Sequence, residues 1–170
     1  MYWLLGIIGG LIGFVLLILL IGALLPKAHT ASRTAHIQAS PRQVFDIIAD
    51  YRSFPSWRSD VREVKDRHSQ SGRPSWVEVT RHGELPLEVI ESDPPRKLVG
   101  KIADPKLPFG GTWTWQIAPD NENECDVTIT EDGEIYNPFF RFMARFIFGY
   151  TATMERNLRD LSARCERADK

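Results

Sequence analysis

Most patterns that carry enzymatic chemistry are missing from this chain. It has no G-x-S-x-G, no phosphate-cradling loop of the GxxxxGK[ST] kind and no G-x-G-x-x-G, so nucleophilic hydrolysis and nucleotide binding have no support. No cofactor motif is present either, and none is expected. The histidines, His29, His36, His68 and His82, are dispersed and form no H-E-x-x-H or similar ligand set, so no metal is expected. Cysteine is scarce: Cys125 and Cys165 lack C-x-x-C spacing, which argues against a disulfide framework or a zinc site and fits a reducing compartment. An excess of one charge is also absent. With 21 basic and 22 acidic residues the net charge is -1, far from the basic surface that nucleic acid demands, so nucleic acid is not an expected partner. No internal repeat or low-complexity segment occurs.

What the chain does have begins with an uncharged run from Tyr2 to Leu25, longer than the roughly 20 residues a helix needs to cross a hydrocarbon core. It lacks the basic n-region and the shorter apolar core of about 7 to 15 residues that would mark a cleaved signal peptide, the competing reading. We read residues 1–25 as a transmembrane anchor, 26–31 as a linker and 32–167 as one domain. The cations beside the anchor, Lys27, Arg33 and Arg42, all follow it, which favours a cytoplasmic domain. The linker at about 3.5 Å per residue keeps the domain within some 20 Å of the bilayer. Within the anchor Gly6, Gly10 and Gly13 share a face, and Gly6/Gly10 and Gly9/Gly13 have GxxxG spacing, which suits a homodimer; the alternative is that glycine is simply common in membrane helices.

The domain starts with a strand over Ser32–Ala39. Ser40-Pro41 then caps a helix whose apolar side is Val44, Phe45, Ile47 and Ile48, and a short helix broken at Pro55 follows. Six strands are expected next, over Val61–His68, Ser75–Arg81, Leu85–Ser92, Lys97–Ala103, Gly111–Ala118 and Cys125–Ile135, separated by turn residues such as Ser71-Gly72, His82-Gly83 and Pro119-Asp120-Asn121. Period-two alternation in TWTWQI and DVTITEDGEI fits an antiparallel sheet with one face covered. The last element is a predicted long helix over Pro138–Cys165, with Phe139, Met143, Phe146, Tyr150, Met154, Leu158 and Leu161 on one stripe. The element order is β-α-α-β6-α.

That order, with SPRQVFDIIADYRSFPSWRSDVREVK, resembles the START-related superfamily also called SRPBCC, of the polyketide cyclase/dehydrase and lipid transport type. The matching residues are Ser40, Pro41, Val44, Phe45, Asp50, Pro55, Trp57 and Val61. A second match, TEDGEIYNPFFRFMARFIFG, resembles the terminal-helix start of membrane-anchored bacterial members. The resemblance implies an α+β helix-grip fold: a curved antiparallel sheet closing around a long terminal helix over a hydrophobic cavity. It implies binding, extending to transport, of a lipid or other hydrophobic small molecule. It leaves a cyclase- or dehydrase-like enzyme, or an interaction module with a filled cavity, as alternatives.

Candidate lining residues are Phe45, Trp57, Trp76, Trp113, Trp115, Phe139, Met143, Phe146 and Tyr150; the plainer alternative is that each fills a dry core. Candidate polar groups are His82, Glu88, Glu131 and Glu134, because a carboxyl group in an apolar cavity has a raised pKa and can serve as an acid or base. A solvated turn around Gly133 also accounts for Glu131, Asp132 and Glu134. Finally, Phe140 and Phe148 lie off the stripe beside Arg141 and Arg145, a combination that suits rings dipping into a membrane surface and cations meeting anionic headgroups. Helices over 41–57 and the loop Pro105–Pro108 are the alternative cover for these rings.

Overall fold

The computed structural model describes residues 2–69 and 71–168. Its strands are β1 (Ala28–Ile37), β2 (Val61–Asp66), β3 (Ser75–Thr80), β4 (Gly83–Asp93), β5 (Lys97–Ile102), β6 (Phe109–Pro119) and β7 (Cys125–Ile135). They form one antiparallel sheet in the order β1-β7-β6-β5-β4-β3-β2. Alternation along each strand sends one set of side chains to the covered face, including Trp76 and Glu78, Leu98 and Gly100, Trp113 and Trp115, and Val127, Ile129 and Glu131. Register shifts between Val61 and Glu63 and between Val89 and Glu91 bend the sheet in the manner of β-bulges.

The helices over that face are α2 (Pro41–Ala49), α3 (Phe54–Trp57) and α5 (Ala152–Ala168). Helix α2 begins as its residues dictate: Ser40 Oγ accepts from the Gln43 N–H at 3.2 Å, and Pro41 occupies the first turn. A 3-10 turn over Tyr51–Ser53 leads into α3. Met154, Leu158, Leu161 and Cys165 form the buried stripe of α5 and close the core with Ile37, Val44, Ile48, Val127 and Ile129. This is the helix-grip arrangement.

The terminal helix is not continuous. Residues Pro138–Met143 make α4, Ala144–Phe148 form a single π turn, and Gly149, at φ 70°, ends it before α5 starts at Ala152. Only a residue at ease in the left-handed region can stop the helix this way. Gly149→Ala is expected to cost about 1 kcal/mol of stability, seen as a fall of a few degrees in Tm; an unchanged Tm would show that Gly149 is not what sets the break. The break removes the first half of the predicted stripe from the grip. Phe139 and Phe146 are 41% and 57% exposed, Met143 lies on α4, and none of the three is in the core.

Instead α4 packs on the N-terminal helix α1 (Tyr2–Leu24). Gly22 is buried there, and any side chain at that position would strike the Pro138 carbonyl. Strand β1 starts at Ala28, earlier than the predicted Ser32, and the Ile135 N–H donates to the Lys27 carbonyl at 2.9 Å. The sheet therefore hangs directly from the end of α1.

Candidate ligand cavity

Under α5 the covered face of the sheet is not filled. A cavity of about 440 Å³ lies between β3–β7, α3 and the first two turns of α5. Its apolar wall includes Trp76, Trp113, Trp115, Leu87 and Leu98, while Gly100 leaves space where a side chain would project. Of the aromatic residues singled out from sequence, Trp76, Trp113 and Trp115 stand on this wall. Phe45 and Trp57 belong to the packed core beside it. Phe139, Met143 and Phe146 are carried away on α4 and the π turn. Tyr150 also lies outside the wall, stacked on His29 with ring centroids 4.1 Å apart.

The polar groups divide as sharply. Glu88 is outside the cavity, where it accepts from Ser69 and Ser71, and these hydrogen bonds hold its carboxyl below the usual range. His82 stands on the exposed β3–β4 turn at the cavity rim. Glu134 faces outward and accepts from the Tyr136 hydroxyl at 3.0 Å. Glu131 is different. It continues the inward row Cys125, Val127, Ile129, so it enters the cavity rather than a solvated turn. Burial pushes its carboxyl up to about 7, against the opposing pull of the Trp113 side chain. His29 Nε2 approaches Glu131 Oε1 to 3.5 Å, and burial lowers the imidazole pKa although Asp132 works the other way. Burial thus works against the charged form of both groups.

A second polar cluster was not foreseen from the sequence. Arg58 Nη1 donates to Glu78 Oε1 at 2.8 Å, while its Nη2 and Nε donate to Asp60 at 2.9 and 3.2 Å. Trp76 Nε1 also donates to Glu78 Oε1, and the guanidinium lies 4.9 Å from the Phe54 ring centroid. All three charged side chains border the cavity, with 10%, 13% and 2% of Arg58, Asp60 and Glu78 exposed. Desolvation alone would lower the Arg58 pKa, but the two carboxylates outweigh it and raise it. Asn157 of α5 is buried at the same wall, and its Oδ1 has no hydrogen-bond partner among the described residues. The signal was available: Glu78 alternates with Trp76 and Thr80 on an inward row, a place where a charge needs a partner. What alternation could not supply was the partner, since Arg58 arrives from the loop after α3. Elsewhere His36, Asp120 and Glu124 converge at the exposed far end of the sheet, with His36 held to Asp126 at 3.0 Å. That grouping is remote from the cavity.

A family model described as polyketide cyclase / dehydrase and lipid transport matches residues 28–166. The chain belongs to this family. The match spans every strand and reaches the last turn of α5, leaving α1 outside. No curated protein matches the sequence significantly. Solved structures with the same fold include a START superfamily protein from Mycobacterium smegmatis, 17% identical, covering 82% of this chain and 99% of its own with a TM-score of 0.66. The ZhuI aromatase/cyclase from Streptomyces sp. R1128 is 10% identical, covering 84% and 96% with a TM-score of 0.68. Norcoclaurine synthase from Thalictrum flavum, in complex with a transition-state analogue, is 9% identical, covering 84% and 97% with a TM-score of 0.68. At these identities the likeness is one of fold. The family is one of hydrophobic-ligand binders that includes polyketide cyclases.

Proposed function

We propose that this family member is held at a membrane by α1 and takes a lipid or another hydrophobic small molecule into the cavity under α5. The observation that carries the reading is the aromatic and aliphatic cavity itself, whose volume falls in the range of small-molecule sites. Among the described residues, α1 is the one helix long and apolar enough to cross a membrane. Cations after that helix favour a cytoplasmic domain. Its Gly6, Gly10 and Gly13 face is open and offers a second copy close approach.

Gly100→Leu tests the cavity. A Cβ at position 100 meets nothing within 4 Å and Gly100 lines the cavity, so a leucine there is expected to take up part of the space. Native mass spectrometry of the full chain released from mild detergent is expected to show a lipid-sized adduct on the parent protein. The adduct should fall at least about tenfold for Gly100→Leu at an unchanged Tm, as expected when a ligand's place is taken. A parent protein that never carries an adduct, or a variant that keeps it in full, would sink the reading.

Glu131 favours a second reading, a cyclase- or dehydrase-like enzyme. A carboxyl group titrating near 7 inside an apolar cavity is suited to donate a proton to a bound substrate and recover it. Two structural neighbours are an aromatase/cyclase and a synthase, activities of this general kind. Conversion of the co-purifying molecule by the parent protein, and not by Glu131→Gln, would decide for it.

A further inference from the structure

The antiparallel pairing defines two ends of the sheet, and the end that carries α1 is also the open end of the cavity. Ala28 pairs with Glu134, and Phe109 pairs with Ile135, so the start of β1, the end of β7 and the start of β6 lie together beneath Lys27. Leu87 pairs with Ile102 and Thr80 with Gly83, which brings the end of β5 and the β3–β4 turn to the same end. The exposed cavity-bordering residues are Arg81 and His82 of that turn, Gly83 and Glu84 at the start of β4, Phe109, and Thr153 and Arg156 in the first turns of α5. The far end, with the β6–β7 turn at Asn121–Asn123, carries none of the cavity.

Between Tyr136, tied by its N–H to the Pro108 carbonyl at 2.9 Å, and Thr153 on the cavity wall runs the segment 138–148. It shows five exposed apolar residues, Phe139, Phe140, Phe146, Ile147 and Phe148, the last three 57%, 62% and 66% exposed. Such a row on an isolated soluble surface would be a liability. Here it is bound to the membrane helix. Arg141 is 7% exposed and donates through Nη1 to the Leu25 carbonyl at 2.7 Å and the Ala23 carbonyl at 3.5 Å. A cation in this position satisfies carbonyls that the end of α1 leaves open and complements its dipole. Arg141 is therefore committed to α1 and is not available for headgroups, whereas Arg145 is exposed.

Resting on the cavity reading above, we propose that residues 138–148 are a lip embedded in the bilayer and pinned to the membrane helix by Arg141, and that the cavity loads membrane-resident amphiphiles directly from the adjoining leaflet. The lip places its rings at the depth where α1 leaves the hydrocarbon, beside the mouth. The bilayer, rather than a second protein, is the occupant that the continuity with α1 selects.

The test uses the full chain in nanodiscs of mixed phosphatidylcholine and phosphatidylglycerol. An NBD label on Phe148→Cys should be quenched by lipids carrying a spin label on the acyl chain, while the same label on Asn123→Cys at the far end should not. cis-Parinaric acid, a fluorescent fatty acid that accepts energy from tryptophan, reports loading. Phe146→Ser with Phe148→Ser should slow its transfer from the nanodisc into the protein about tenfold, and leave its equilibrium binding in detergent solution unchanged. No quenching at position 148, or loading from the nanodisc at the parent rate in the double variant, overturns the lip while binding in detergent leaves the cavity reading standing. Absence of parinaric acid binding in every setting overturns the cavity reading and the loading route with it.

Discussion

Arg58→Met is expected to lower the unfolding free energy by about 3–5 kcal/mol, the loss seen when one partner of a buried ion cluster is removed. Glu78 and Asp60 would remain almost sealed from water, with their hydrogen bonds to Arg58 gone and only the Trp76 indole still donating to Glu78. In a protein of this size that corresponds to a fall in Tm on the order of 10 °C, read by thermal unfolding of the full chain in mild detergent. Removing all three charges together, as Arg58→Met, Asp60→Asn and Glu78→Gln, should recover more than half of the loss. An amide oxygen at position 78 still accepts from Trp76, and no unpaired charge is left buried. A fall of less than about 2 °C for Arg58→Met would show that water reaches the cluster freely.

Glu131→Gln is expected to stabilise the protein at pH 8 by on the order of 2 kcal/mol, a discounted conversion of the upward shift for a side chain that keeps some contact with solvent. The sign follows from proton binding. Burial raises the Glu131 pKa from 4.5 to about 7 in the folded protein, so between those values the folded state binds the proton more strongly than the unfolded chain. The contribution of this residue to stability is therefore greatest below about pH 4.5, declines as pH rises toward 7, and is lowest above it. The glutamine variant lacks that decline. The difference in Tm between variant and parent should grow by about 5 °C from pH 4.5 to pH 8. A constant difference across the range would mean that Glu131 is ionised in the fold and that the cavity is wet at that wall. The same pair of proteins serves the enzymatic reading, since loss of turnover with a gain in stability marks a group kept for chemistry rather than for folding.

These effects come from charges on inward rows of the sheet, and here the sequence and the tertiary structure part company. Alternation identifies Trp113 and Trp115 as facing one way, because in an extended chain the side of the sheet is a local property. The same rule applied to Cys125, Val127, Ile129 and Glu131 places Glu131 on the covered face, but Gly133 suggested a turn. In the fold Gly133 is instead a paired residue of β7, where His29 occupies the space a side chain would need.

Patterns within the chain already give the strands and their order, the membrane-length helix, the capped α2, the antiparallel sheet and the family. Those features depend on short-range patterns of polarity, caps and turns. The three-dimensional fold was needed to see that Gly149 divides the terminal helix, that Arg58 meets Glu78, that His29 meets Glu131, and that Arg141 closes the end of α1. Each of these joins residues distant in the chain, or turns on a backbone angle that a continuous helical periodicity conceals. The physical reason is the same in every case: a pattern states which side of an element is apolar, whereas the partner that satisfies a buried charge or carbonyl is set by where the other elements come to rest.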